Sequence, residues 1–254
     1  LTYEWLNTWW DVYGKDKELL LLKVTDNDEV TGIAPLMIEN KVIKFIGDPN
    51  SDYHDFIVIK NKEKTIEEIY SYLLKNEKWD YISLSEIPEC SSTIKKLTVL
   101  SEWRKISSIC PFLELKGTYE EYQKNYQTKN TRRFLRKTIN NLKSKNLLFK
   151  LEDNSGDNLN KFFELHKKRW GLTKTPSLFN HEINKKFFIN ILNNVPWFKL
   201  STIKIKDEII VFNCTLDYNN KVGFYIISYD TDYLKYSSGF IINNLILKYS
   251  FDNN

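Results

Sequence analysis

Asp232-Tyr233-Leu234-Lys235-Tyr236-Ser237-Ser238-Gly239 links a strand-patterned segment at 222–229 to an apolar, helix-patterned segment at 240–249. A helix start leaves backbone N–H groups without intrahelical partners and carries partial positive charge, so it can hold an anion. Gly239 would let a phosphate approach the backbone, and Lys235 would add a charge. The plainer reading of the same residues is a serine N-cap with a glycine in the first turn.

Before this loop the periodicity predicts a strand at 147–151, helices at 157–170 and 182–192, then strands at 198–205, 209–216 and 222–229. Lys206-Asp207-Glu208 and Asn219-Asn220 supply the turns between those three strands. Leu159, Phe162, Phe163, His166 and Trp170 recur on one helix face, and alternation places Tyr225, Ile227 and Tyr229 on one strand face. The order β-α-α-β-β-β-α is neither the strict alternation of a doubly wound sheet nor that of a sandwich.

The first half reads similarly. A helix at 5–13 ends at Gly14, and strands follow at 19–24, 30–38 and 42–46. Gly47-Asp48-Pro49-Asn50 is a turn, and 56–59 a further strand. Thr65 caps a helix bearing Ile66, Ile69, Tyr70, Leu73 and Leu74; a buried strand at 81–84, a helix at 92–103 and a strand at 107–115 complete the half. Residues 119–148 read as one long helix or two short ones. The expected fold class is α+β: two related units in tandem, each a mixed, mostly antiparallel sheet flanked by helices. The expected divisions are 1–116, a connecting basic helix at 117–146, and 147–254. The last unit is expected to be incomplete, because the chain stops at Asn254 where another strand should follow the helix.

Apolar residues make up 42% of the 254 positions and aromatics 15%, enough to exclude a disordered chain. The net charge of +4 is no nucleic-acid signature unless clustered, and suits a small anionic ligand equally well. Cys90, Cys110 and Cys214 form no CxxC and have no His at ligand spacing, so free buried thiols and no metal are expected. No apolar run approaches the roughly 20 residues that span a bilayer. No secretory leader is visible, although the chain begins at Leu1 without Met, and a cytoplasmic location is expected.

Several stretches, in order, resemble the CelD-like acetyltransferase family, named for a cellulose-biosynthesis protein. Leu165-His166-Lys167-Lys168-Arg169-Trp170 looks like its "LHxxRW" segment, and Lys206-Asp207-Glu208-Ile209-Ile210 like its "dGxxIA" turn without the glycine. Tyr225 to Asp230 with Tyr236-Ser237-Ser238-Gly239 resembles "Y…gyDp…yspGxxL", Ser238 standing where that pattern has proline. Ile33-Ala34-Pro35-Leu36, Phe45-Ile46-Gly47 and Ser51-Asp52-Tyr53-His54-Asp55 resemble "IAPL…flG…sDYxD". The resemblance implies tandem GNAT-like units, the first a degenerate copy forming one wall of the acceptor cleft. It also implies acyl transfer from acetyl-CoA or another acyl-CoA. It carries the CoA diphosphate site onto Ser237, Ser238 and Gly239, with Lys235 and Phe240 beside them as further cofactor-binding candidates. In such enzymes the region after this helix splays the sheet around the thioester and often supplies a tyrosine acid; none can be named here.

His166 is either a buried, hydrogen-bonded core residue or a base that deprotonates an acceptor, with Arg169 reaching an anionic substrate and Trp170 beside it. Asp52, Tyr53, His54 and Asp55 either support the turn or bind the acceptor, with His54 and Asp52 as catalytic candidates; a metal site is the weakest option. Tyr229 and Asp230 are core packing or acceptor contacts. Lys129, Arg132, Arg133, Arg136 and Lys143 crowd one side of a helix whose other side carries Leu135, Ile139 and Leu142. That side is a solvated face or a phosphate site for CoA, a nucleotide-linked substrate or RNA.

The leading expectation is an N- or O-acyltransferase acting on a small-molecule or glycan acceptor by direct attack on the thioester, with surface polysaccharide as the family's hint at the acceptor. One alternative is a relative of Fem-type peptidyltransferases, which use tandem GNAT units and an aminoacyl-tRNA donor; nucleic acid is a partner only there. The other is a non-catalytic GNAT-fold binding protein.

Overall fold

The computed structural model describes residues 2–76, 78–100, 104–151 and 156–253, which fall into two compact units, Leu1–Pro111 and Phe112–Asn254. Each unit is a sheet flanked by helices. Four hairpins among the described residues turn through two residues with positive φ: Asn27-Asp28, Asn40-Lys41, Lys206-Asp207 and Asn219-Asn220. Such turns match the right-handed twist of the strands, and Asn and Asp tolerate the left-handed conformation better than other side chains.

In the first unit, α1 (Tyr3–Tyr13) precedes β1 (Glu18–Asp26), β2 (Glu29–Glu39), β3 (Val42–Phe45) and β4 (Ile57–Val58); α2 (Lys62–Lys75), β5 (Tyr81–Ile82) and α3 (Ser92–Leu100) follow. The sheet runs β1-β2-β3-β5 with β4 also on β2; β3 and β5 pair in parallel and the other pairings of the described residues are antiparallel. Alternation along β2 and β3 sends Leu36, Ile38, Ile43 and Phe45 to one face, against Ile66, Ile69, Tyr70 and Leu73 of α2. On α1, the Trp5 indole donates to Ser51 Oγ at 2.7 Å and the Trp9 indole to Asn50 Oδ1 at 2.9 Å, pinning the helix to the turn after β3.

Three expectations for this unit need correction. Asn61, not Thr65, holds the N-cap; Thr65 lies a turn inside α2 with its hydroxyl donating to Lys60 O at 3.0 Å. The strand at 81–84 is only two residues long, and Tyr81 is exposed. Residues 104–116 form no strand; Ile106, Ile109 and Phe112 face solvent, and the segment meets no ladder partner among the described residues. The boundary between units falls in this segment, as expected where few contacts cross. The end of the helix expected at 92–103 lies outside the described residues.

In the second unit, α4 (Tyr119–Tyr126) opens with a capping box formed by Thr118 and Glu121. Thr128 caps α5 (Lys129–Lys143), so the 119–148 stretch is two helices. Arg132 Nη1 joins them, donating to the Gln123, Lys124 and Gln127 carbonyls at the end of α4. Then come β6 (Leu147–Lys150), α6 (Gly156–Trp170), α7 (Glu182–Asn194), β7 (Phe198–Ile205), β8 (Glu208–Tyr218), β9 (Lys221–Tyr229) and α8 (Ser238–Asp252). The sheet is antiparallel, in the order β6-β7-β8-β9. Its two faces bury different side chains. Phe212 meets Phe162 and Phe198 meets Phe188 on the α6–α7 side, where Phe179 packs on both of those helix rings. Ile203, Ile205 and Val211 meet Leu135 and Leu142 of α5 and Ile241, Ile242 and Ile246 of α8. No helix of the described residues is long and apolar enough to cross a membrane. Cys214 is buried as expected, but Cys90 and Cys110 are exposed thiols.

Candidate functional site

The link from β9 to α8 is anchored at its first residue. The Asp230 N–H donates to Ile210 O at 2.8 Å, and its carboxylate accepts the Asp232 N–H at 3.0 Å and Lys168 Nζ at 2.6 Å. Lys168 also holds Asp232 at 2.7 Å. Burial opposes ionisation of Asp230, yet the bonds from Lys168 and the Asp232 N–H outweigh it and hold the carboxyl below its usual range. With Asp230 only 4% exposed, these bonds make it an anchor for the loop rather than an acceptor contact. Asp230→Ala is expected to cost about 2 kcal/mol, less than a fully buried pair because Lys168 is half-exposed, read as a lower thermal midpoint.

From Asp230 a 3-10 turn, Thr231–Tyr236, leads to Ser237, an exposed residue at φ 47° that precedes α8. Ser237 O accepts the Ile241 N–H at 3.1 Å, and no side chain caps the helix. The N–H groups of Ser238, Gly239 and Phe240 therefore have no acceptor within the helix. Ser238 is buried with its hydroxyl unpartnered, while Lys235 is exposed with Nζ over the Tyr236 ring. A Cβ on Gly239 would lie 3.1 Å from Ile227 Cδ1 and 3.6 Å from Tyr229 Cδ1. The glycine thus lets α8 begin in close contact with β9, a packing reason alongside the anionic one.

β9 lies at one end of the sheet, and its pairing with β8 slips between Cys214 and Thr215, opposite Ile226 and Phe224. Tyr225 is the extra residue. This bulge reverses the expected alternation: Tyr225 stacks on Phe188 of the α6–α7 face, whereas Ile227 and Tyr229 lie under Gly239 on the α8 face.

Between α5 and the start of α8 lies an open groove of about 390 Å³, lined by Asn130, Thr131, Phe134, Ser237 and Phe240. The sequence placed a basic face on this helix without pairing it with the Ser-Ser-Gly loop; only tertiary packing brings the two together. Beneath α8, Asn213 of β8 donates to Asn243 Oδ1 at 2.6 Å, and Asn213 Oδ1 and Ser201 Oγ are buried without partners. A polar Asn213 within the apolar run 209–214 was the available signal for that cluster.

His166 belongs to the core. It is 2% exposed, shares a 2.7 Å hydrogen bond with Ser177 Oγ, and packs on Phe162, Trp170 and Phe179. Burial, and then the Arg169 charge, lower its pKa from 6.5 to about 4. It is thus neutral but without access to an acceptor. Arg169 donates to Ile227 O at 2.9 Å and lies over the Tyr229 and Trp170 rings, which commits it to holding α6 against β9.

In the first unit, His54 is 1% exposed, stacked on Phe45, with Nδ1 3.2 Å from Ser85 O and Nε2 buried without a partner. Burial pushes its pKa down, against weaker opposing effects from Asp48, the Ser85 carbonyl and Glu86. Gly47 has φ 108°, and a Cβ there would lie 2.4 Å from Ser51 Oγ and 3.0 Å from His54 Nε2. Gly47→Ala is expected to cost about 2 kcal/mol, from the backbone conformation and the displaced Ser51, measurable by denaturant unfolding. Asp55 Oδ1 accepts the Phe56 N–H at 2.9 Å, a local structural bond. Asp52 and Tyr53 are exposed. A bond with Cys110, and then partial burial, push the Tyr53 phenol up to about 12. No group of three or more His, Cys, Asp or Glu able to hold a metal ion occurs among the described residues.

Residues 129–254, from α5 through α8, match the family model described as Acetyltransferase (GNAT) domain. No curated protein matches the chain. The crystal structure of FemX aligns with a TM-score of 0.64 at 13% identity, over 99% of this chain and 80% of that one. The C-terminal domain (DUF2156) of a putative lysylphosphatidylglycerol synthetase from Agrobacterium fabrum aligns with a TM-score of 0.52 at 12% identity, over 98% and 71%. At such identities the likeness is one of fold, and that fold is GNAT-like. The similarity to CelD-like proteins rests on the sequence motifs alone.

Proposed function

We propose that the GNAT domain at residues 129–254 transfers an acyl group from acetyl-CoA or another acyl-CoA to an amine or hydroxyl of a small-molecule or glycan acceptor. The observation that carries this reading is the uncapped start of α8, where three N–H groups have no partner in the helix beside the exposed Ser237. The CoA diphosphate would rest on the Ser238, Gly239 and Phe240 N–H groups, with Lys235 adding charge. β9 lies at an end of the sheet order, and its backbone groups, other than the Ile227 carbonyl held by Arg169, would pair with the amides of the pantetheine arm.

The acceptor attacks that carbonyl directly. A bond forms from the acceptor nitrogen or oxygen to the carbonyl carbon as the C–S bond breaks; CoA leaves as the thiolate, the acceptor's proton passes to solvent, and the thiolate takes a proton from solvent to become free CoA. No covalent enzyme intermediate is needed: Cys214 is fully buried and its thiol pushed up by burial, so it stays protonated. Both buried histidines are set aside as bases.

The test is release of free CoA thiol from acetyl-CoA on adding a panel of amine, amino-sugar and polyol acceptors. Acceptor-dependent release is the expected result; a folded protein that binds acetyl-CoA yet releases no thiol with any of them would contradict the catalytic claim. An aminoacyl-tRNA donor is the second reading, favoured by the cationic surface of α5.

A further inference from the structure

α5 is a helix whose charges work against it. Its sequence, KNTRRFLRKTINNLK, contains no acidic residue and begins with Lys129, although a helix N-terminus favours negative charge. Lys129 and Arg133, Arg132 and Arg136, and Arg133 and Lys137 are like-charged pairs four apart, each mildly destabilising. Arg132 is engaged with the α4 carbonyls. Arg133 and Lys137 are exposed and have neither an ion pair nor a side-chain hydrogen bond among the described residues. Elsewhere in the same unit, Lys168, Lys185 and Lys248 are each held by a carboxylate. A local pattern that costs stability without a partner in the fold is what a bound anion would relieve.

Those two cations sit on a particular stripe. Asn130, Arg133, Phe134 and Lys137 are spaced i, i+3, i+4, i+7, and Asn130 and Phe134 line the groove against α8. Across it, Phe240 pairs with Phe134 at 6.3 Å between ring centroids, and the two residues are still 37% and 40% exposed. Exposed aromatic rings beside unpaired cations suit a ligand with a flat π-face and phosphate. Ser237 belongs both to this groove and to the uncapped start of α8.

We propose that this groove seats the 3′-phosphoadenosine end of the acyl-CoA donor. The purine lies against Phe134 and Phe240, Asn130 meets its polar edge, and Arg133 and Lys137 take the 3′-phosphate. The inference rests on the donor reading above and adds to it the residues that distinguish CoA from its dephosphorylated form.

The test titrates the full chain calorimetrically with CoA and with 3′-dephospho-CoA, using the wild type, Arg133→Gln/Lys137→Gln and Phe134→Ala. The wild type is expected to bind CoA about tenfold or more tightly than dephospho-CoA. The double variant is expected to bind CoA no better than dephospho-CoA, its affinity for the latter unchanged, while Phe134→Ala weakens both ligands alike. Equal wild-type affinity for the two ligands, or a double variant that still prefers CoA, would overturn the inference while leaving the donor reading intact. Failure of the folded wild type to bind either ligand would remove both. RNA binding lost in the double variant, with CoA binding unaltered, would assign the cations to RNA and overturn it as well.

Discussion

A Ser237→Asp protein is expected to unfold at the wild-type temperature or slightly above it, and to bind acetyl-CoA about 10- to 100-fold more weakly. The two effects have opposite signs for the same reason. A carboxylate beside an uncapped helix start interacts favourably with the helix, by about 0.3–1 kcal/mol, and Asp tolerates the left-handed backbone that Ser237 adopts at φ 47°. The same charge would stand where the CoA diphosphate is proposed to bind, costing affinity through repulsion and through competition for the free N–H groups. Thermal denaturation and calorimetry on one preparation separate the two. A variant that binds acetyl-CoA as well as the wild type would move the diphosphate away from α8. Gly239 is a poorer position for this test, because any side chain there also presses on Ile227 and Tyr229.

The largest stability effect is expected at His166. Replacing it with alanine empties part of the space among Phe162, Trp170 and Phe179 and removes the Ser177 bond, a loss of about 4 kcal/mol. Acid provides a second readout. The folded pKa of about 4 lies below the ordinary 6.5, so below pH 6.5 the unfolded chain binds a proton that the fold excludes. The neutral histidine's contribution is complete above pH 6.5 and shrinks as pH falls towards 4, by about 3 kcal/mol in all. His54, also lowered by burial, acts in the same direction. Comparing urea unfolding of the wild type and His166→Phe between pH 7 and pH 4 isolates the His166 part: the variant should lose about one proton's worth of slope. Parallel slopes would mean that His166 titrates normally and is not buried as described.

The order of elements in the second unit was legible because its signals are local. Asn219-Asn220 and Lys206-Asp207 suit two-residue turns, the helix faces follow the 3.6 period, and Ser-Ser-Gly marks the start of α8. The bulge at Tyr225 was not legible: strict alternation is the default reading of 222–229, and nothing in Phe224-Tyr225-Ile226 announces an extra residue. The strand expected at 107–115 failed for the complementary reason. A β pattern states what a segment can do, while pairing requires a free neighbour. The candidate site divided in the same way. The helix start and its glycine could be read from the loop, but Arg169 and Asp230 look functional in sequence because they are polar beside a motif. Their bonds to Ile227 O, Lys168 and the Asp232 N–H exist only in the folded sheet. The groove was hidden because Asn130 and Phe134 lie about a hundred residues from Ser237 and Phe240.

The central claim, an acyl-CoA donor held at the start of α8, is tested most directly by calorimetric titration of the wild-type chain with acetyl-CoA, alongside an aminoacylated tRNA. The expected result is saturable, one-to-one binding of acetyl-CoA that is competed by free CoA, with no comparable binding of the tRNA. A folded protein that binds the aminoacylated tRNA and leaves acetyl-CoA free would contradict the account and make the Fem-type donor the correct one.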